Sequence, residues 1–403
     1  MDRARRHCRF VCRLALAVVC IALIARPSAR GQIRPLAAPL AGASADLIDR
    51  LRADAFTYFR FVNRPWTALV CEAFADLPDL PIVRLHGDAH VEQFALTNDA
   101  WGLDDFDDSA RGPEFVDIVR YLGSIDLATR QRGWTHDRDA VWNRFFAGYR
   151  AGLSNPNDRP RQPDIVRMLR REAPVTRAAF LAWGEQQMQP MDQTMSMALA
   201  AGMEAFEGFV RRERPNLAPG YFMVKRAGWL HMGIGSALTR KVLIRVQGAT
   251  ADDDDDQLLE AKEVTNLDGV SCLEGPTTPP ALRIVDGARQ LSRLKHDILA
   301  VGPTMLISGA GTRAKPWLDW WISSWEPSYR EVRVSDLRSV RDLEEIAYDS
   351  GVQLGAGETT DVSVRKTALM WAVKLEGRFR KETSTIVGEL LAGWRELAQR
   401  NSQ

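Results

Sequence analysis

Residues 84–94 read RLHGDAHVEQF, and residues 104–108 read DDFDD. Their pairing decides how the chain is read. The apolar run IVRL (82–85) predicts a short strand feeding a loop His86-Gly87-Asp88. Glycine in such a loop lets the backbone turn sharply and aims the next side chain outward. Asp88 is therefore a candidate general base, or a group that orients a hydroxyl. FALTN and GLDDF flank DAW and predict a hairpin, which returns the chain to its start. Asp105 is then expected near the loop that carries Asp88 and Gln93. Carboxylates gathered in this way repel unless a cation or a proton separates them. Mg²⁺ suits such a place, being a hard ion commonly shared between one or two carboxylates and a phosphate. A lone HGD, or a lone DDFDD, reads as a loop or a solvated turn. Together, with a helix opening at Asp117, they match the parts of a phosphoryl-transfer site.

The surrounding chain is an ordinary globular one. It has 403 residues, 45% hydrophobic and 26% charged, enough for two lobes. A net charge of +1 argues against a broad nucleic-acid footprint, so no nucleic-acid partner is expected. The N-terminus carries a basic MDRARRHCRF, a twelve-residue apolar run (14–25) and RPSARG. That order reads as a signal peptide over 1–31, with export to the periplasm or beyond and no transmembrane span left after cleavage. The alternative is an uncleaved membrane anchor. Residues 32–45 read as a flexible leader. Outside the signal only Cys71 and Cys272 remain, as a disulfide or as two buried thiols.

Helical spacing of apolar residues covers 46–77, two amphipathic helices after the aspartates, 163–215 and 363–400. The stretch YFMVKRAGWLHMGIGSALTRKVLIRVQG (221–248) reads as strands around a glycine turn, and LLEAKEV as a further strand. Backbone N–H groups at Gly233, Gly235 and Ser236 are placed to cover phosphates, and Lys262 to reach them as a point charge. Glu263 should point to the opposite face of that strand. The acidic turn 251–257 lacks calcium-loop spacing and reads as solvated. WLDWWISSW (317–325) reads as a packed amphipathic segment.

The stretch HGDAHVEQF…LDDFDDSARGPEFVDIVRYL resembles the catalytic and metal-binding segment of the aminoglycoside phosphotransferase and choline kinase group, within the protein-kinase-like superfamily. A closer likeness is to the bacterial domain of unknown function 2252, with DAFTYFRF and Arg60 ahead of it. The likeness covers about residues 46–300. It implies Asp88 as catalytic aspartate, His86 as brace of its loop and Asp117 as the tie from the next helix. It implies Asp105 as the Mg²⁺ ligand, with Asp107 as a further ligand. Gln93 falls where the superfamily has a metal-binding Asn. The pattern GxGS…KEA matches Gly233, Gly235, Ser236 and Lys262 as the ATP-phosphate cradle, and Arg289 and Gln290 are implied near the site. The expected fold is α+β. It is a kinase-like two-lobe fold with permuted lobes: a mostly helical large lobe (46–220, completed by 301–403) and a small antiparallel sheet lobe (221–300). The expected function is phosphoryl transfer from Mg-ATP to a small-molecule hydroxyl. The alternative is an exported pseudokinase that binds a ligand or partner without catalysis.

Overall fold

A computed structural model describes residues 34–403, except 79, 173–175, 236, 278, 303–319 and 401–403. The signal-peptide reading and Ser236 lie outside the described residues. From Pro35 onward the chain forms one compact unit. It is α+β, with about half its residues helical and its strands in small antiparallel sheets.

Three short helices open it: α1 (Ala45–Ala53), α2 (Ala55–Phe61) and α3 (Asn63–Ala73). Ser44 caps α1 through the Leu47 N–H, and Asp54 caps α2 through Phe56 and Thr57. Strand β1 (Ile82–Leu85) leads to the loop, followed by the hairpin β2 (Phe94–Leu96) and β3 (Trp101–Leu103). Strand β4 (Ala110–Pro113) returns to pair antiparallel with β1. Helix α4 (Phe115–Arg132) follows, then α5 (Arg138–Ser154) and α6 (Asp164–Leu169). The sequence reads α4 as amphipathic, but every residue from Phe115 to Thr129 is buried. Asp117, Arg120 and Ser124 face the loop, and Tyr121 and Asp126 bond to Ser350 and to Arg130 and Arg138, so polar residues that bond inside the protein are misassigned by periodicity alone.

Two C-terminal helices, α10 (Val340–Gly357) and α11 (Val362–Gln399), complete the helical part. Helices α5 and α10 meet backbone to backbone. A Cβ at Gly148 would lie 2.0 Å from the Tyr348 carbonyl oxygen, and one at Gly355 would lie 2.3 Å from that of Tyr149. Only glycine permits that approach. The stretch read as a flexible leader is partly docked. Leu36 is buried, its N–H bonds to Glu389, and its carbonyl accepts from the Tyr58 hydroxyl.

The second body is a five-stranded sheet of order β5-β6-β7-β9-β8. Its strands are β5 (Val224–Trp229), β6 (Lys241–Val246), β7 (Gln257–Glu263), β8 (Leu299–Val301) and β9 (Trp320–Ser324). A two-residue strand, β10 (Arg330–Glu331), pairs with β2. Along β6 and β7 the faces alternate. Val242, Ile244, Leu259 and Ala261 pack under helix α8 (Gln193–Glu213), through Leu199, Met203 and Phe206. Leu243 and Leu258 pack on the other face against Phe180 and Leu181 of α7 (Arg177–Gln187). Helices α7 and α8 therefore belong to the sheet body, although the sequence reading carried the helical lobe to residue 220. Strand β9 also belongs to it, beyond the expected limit of 300. Helical spacing reveals an apolar stripe but not the layer that receives it. Helix α9 (Leu282–Leu291) lies between the bodies, packed on β8, β1, β4 and α10.

Cys71 of α3 and Cys272 form a disulfide, with Cα atoms 5.4 Å apart and a sequence separation of 201. Reduction, or Cys272→Ser, should lower unfolding free energy by about 2–4 kcal/mol. Urea titration with and without reductant measures this, and coincident curves would mean that the cross-link adds no stability.

Candidate functional site

The loop after β1 is held from beneath by one face of α4. Asp117 accepts the His86 N–H at 2.6 Å and the Gly87 N–H at 2.8 Å. Ser124 accepts the Val91 N–H at 3.1 Å. Between them Arg120 donates Nε to Asp88 Oδ1 at 2.8 Å and Nη2 to the Phe59 carbonyl at 2.9 Å. Its guanidinium lies over the Phe59 ring, 3.4 Å from the centroid. Positions 117, 120 and 124 fall on one helical stripe. Gly87 has φ +86, and a Cβ there would lie 1.9 Å from the Asp108 carbonyl oxygen, so only glycine fits. Asn63 donates to both the Gly87 carbonyl (2.9 Å) and Asp108 Oδ2 (2.7 Å), joining the loop to the aspartate turn.

His86 is buried and braces both sides of the loop. Its Nε2 lies 2.9 Å from the Asp104 carbonyl, and its Nδ1 accepts the Asp88 N–H at 3.3 Å. That partnering assigns the proton to Nε2. Burial lowers the imidazole to about 4, so it is neutral. Burial raises Asp88 to about 7, against the pull of Arg120. A carboxylate poised there suits proton acceptance near neutral pH. His90 sits behind Asp88, its Nε2 3.7 Å from Oδ2 and its ring edge-on to Phe56.

The hairpin returns the chain to the loop. The Asp104 N–H donates to the Gln93 carbonyl at 2.9 Å. Asp105 follows with φ +60, a conformation aspartate tolerates better than most residues. Lys262 of β7 reaches across from the sheet. Its Nζ lies 3.4 Å from Asp105 Oδ1, 3.2 Å from Asp107 Oδ2 and 3.9 Å from Glu260 Oε1. Burial pushes the Asp105 carboxyl up, but Lys262 and Arg60 outweigh it and hold it below the usual range. Burial and the charge of Asp105 push Asp107 up. The pair therefore shares its charge unevenly, as close carboxylates must. Arg283 of α9 fixes the turn by donating to the Asp107 (2.8 Å) and Ser109 (2.6 Å) carbonyls.

Helical part and sheet enclose a cavity of about 420 Å³, in the range of small-molecule sites. Asp88, Gln93 and Asp105 line it from one side, and Gly233, Gly235, Lys241, Glu260 and Lys262 from the other. Gly233 has φ +90. A Cβ on Gly235 would lie 3.8 Å from Asp88 Oδ2, so the turn closes over the loop. Arg289 and Gln290 are not brought in, since they bond to the Leu299 and Gly357 carbonyls. Glu263 lies on the other face of β7 and pairs with Arg240, as alternation requires. Glu260 shares Lys262's face, and its other oxygen accepts from Trp325 Nε1 at 2.8 Å.

The sequence reading missed Arg120, Asn63, Glu260, Lys241 and Arg283. Arg120 was findable one turn after Asp117, and Glu260 two residues before Lys262. Nothing local marks Asn63 or Arg283. Among the described residues, no three His, Cys, Asp or Glu side chains converge to cage a metal. Asp105 and Asp107 are the two carboxylates suited to a hard cation that takes its other ligands from water and phosphate. Their mutual repulsion, now relieved by Lys262, is what such an ion would relieve, so the donor set fits Mg²⁺.

Beneath Asp117 lie two more buried acids. Glu114 has both carboxyl oxygens without a hydrogen bond, and Glu358 accepts from the Tyr149 hydroxyl at 2.5 Å. Burial raises Glu114 from 4.5 to about 8. The folded state thus holds a proton that the unfolded chain releases above 4.5. Glu114's contribution is complete below that value and is lost as pH rises toward 8. Stability should fall over this window by at most about 1.4 kcal/mol per pH unit for this group. Urea midpoints from pH 5 to 8 should decline, and Glu114→Gln should flatten the decline. An unchanged slope in the variant would mean that Glu114 does not carry the proton.

The family model "Uncharacterized protein conserved in bacteria (DUF2252)" matches residues 47–178, less than half of the chain. That span contains the loop, the aspartate turn and α4. Neither a curated protein nor a solved structure matches the chain.

Proposed function

We propose that the chain is a kinase-like phosphotransferase with its lobes permuted, moving a phosphoryl group from Mg-ATP to a small-molecule hydroxyl. One observation carries the reading: Asp88 and Asp105 from the helical part share a cavity with the glycine turn and Lys262 from the sheet. The order within the sheet supports it as well. The turn joins its first two strands and the lysine lies on the third, as in protein kinases.

In this reading Asp88, poised near neutral pH, orients the acceptor hydroxyl and takes its proton as the oxygen attacks phosphorus. Arg120 and Asp117 hold that carboxylate and its loop in place. Asp105 and Asp107, with the Gln93 amide, would hold Mg²⁺, which supplies charge neutralisation on the phosphates. Gly233 and Gly235 cover the phosphates, and Lys262 binds them as a point charge.

The second reading is an exported pseudokinase that binds without turnover. Gln93 favours it, because its amide carries one methylene more than the Asn usual at this place. Kinases also pair their lysine with a glutamate on the following helix. Here the partners of Lys262 are Asp105, Asp107 and Glu260, none of them on α9.

Calorimetric titration with ATP, with and without Mg²⁺, should give metal-dependent binding that Asp105→Ala weakens at least about tenfold. Absence of binding to folded wild type would sink the phosphotransferase reading and leave a scaffold whose ligand is not a nucleotide. Binding without ADP release in the presence of candidate acceptors, with release gained in Gln93→Asn, would favour the second reading.

A further inference from the structure

Lys241 stands directly opposite Lys262 in the register of β6 and β7. Both side chains line the cavity, and Lys241 is only 4% exposed. Like charges placed directly opposite on neighbouring strands repel. Burial adds a desolvation cost for each ammonium. It lowers the affinity of Lys241 for its proton, and the neighbouring Lys262 lowers it further. Glu260, Asp107 and Asp105 act on Lys241 in the opposite sense. Glu260 is shared with Trp325, while Asp105 and Asp107 flank Lys262. The Lys241 ammonium donates to the Met232 carbonyl, one residue before the Gly233–Gly235 turn. It thus ties the turn to the sheet at the point where the turn faces the cavity.

We propose that Lys241 is a second phosphate-binding ammonium, and that with Lys262 it fits the cavity to a chain of linked phosphates carried with a divalent cation. The inference rests on the phosphotransferase reading for the place of the phosphates and adds a phosphate-binding residue that the reading does not name. Lys262 now serves as internal counter-cation to Asp105 and Asp107. A hard divalent ion that takes those carboxylates releases the ammonium toward the phosphates. Lys241 then supplies a second cation from the neighbouring strand, about 5 Å away at the Cβ level. The glycine turn and the two ammoniums would then present an extended anion-binding wall, with the divalent ion held beside it by the aspartates. A single orthophosphate engages only part of it.

The test uses inorganic tripolyphosphate and orthophosphate, each with and without Mg²⁺, in calorimetric titrations of the full chain, with ATP in parallel. Wild type should bind tripolyphosphate in a Mg²⁺-dependent way. Lys241→Met and Lys262→Met should each weaken it about tenfold or more, as loss of a charged hydrogen-bonding partner does. Weak orthophosphate binding should change little in Lys241→Met. If that variant unfolds, Lys241→Gln keeps a donor for the Met232 carbonyl without the charge and is read in the same way. Wild-type tripolyphosphate affinity in a folded Lys241 variant, with loss in Lys262→Met, overturns the inference and leaves the phosphotransferase reading standing. Tripolyphosphate binding without ATP binding removes the phosphotransferase reading and keeps the inference. A wild type that binds no tripolyphosphate removes the inference.

Discussion

The carboxylate of Asp117 is the constraint on which the site depends. It accepts two consecutive backbone N–H groups, those of His86 and Gly87, from inside the protein. Few arrangements fix a loop so tightly, because both donors are buried and neither has another route to satisfaction. Once they are fixed, Gly87 must take its positive φ and Asp88 must leave the loop toward Arg120 and the cavity. Burial of Asp117 works against this by favouring its protonated form, raising it to about 7. The two N–H groups are the opposing pull. The central helix supplies the rest of the support, with Arg120 and Ser124 on the same stripe as Asp117.

The opposite wall depends on charge balance rather than on backbone bonds. Lys262 joins a sheet to an aspartate turn that belongs to a different part of the chain. Its ammonium stays charged despite burial because three carboxylates surround it. An ion pair of this kind is a poor source of stability, since desolvation consumes much of the attraction. It does set where the two parts meet. Arg283 reinforces that junction by donating to backbone carbonyls, and its positive charge offsets the burial of Asp108.

Much of this was legible in the sequence. The IVRL strand, the hairpin and the strands around the glycine turn carry local signals and form where those signals point. Strict alternation on β7 separated Lys262 from Glu263 before any coordinates. What sequence could not give was long-range assignment. Helices α7 and α8 have ordinary apolar stripes, and only the fold reveals that these stripes meet the sheet. The central helix α4 looked amphipathic because polar residues that face a loop and polar residues that face water leave the same pattern. The Cys71–Cys272 pairing and the reach of Asn63 and Arg283 join positions far apart in sequence. The tight α5–α10 contact was written in Gly148, Gly152, Gly351 and Gly355, spaced by four, but such spacing also occurs where nothing packs closely.

The chain passes between helical part and sheet four times among the described residues: before α7, on either side of α9, and after β9. One of those passages carries Cys272 and is covalently fastened to α3. A body held by four connections, one of them riveted, cannot swing away like a jaw on a single hinge. The width of the slot between the two parts is therefore a built dimension rather than a variable one. The two walls of the cavity are thus spaced by the chain's own connections, with the turn at Gly233 and Gly235 set over the Asp88 loop as part of the same frame.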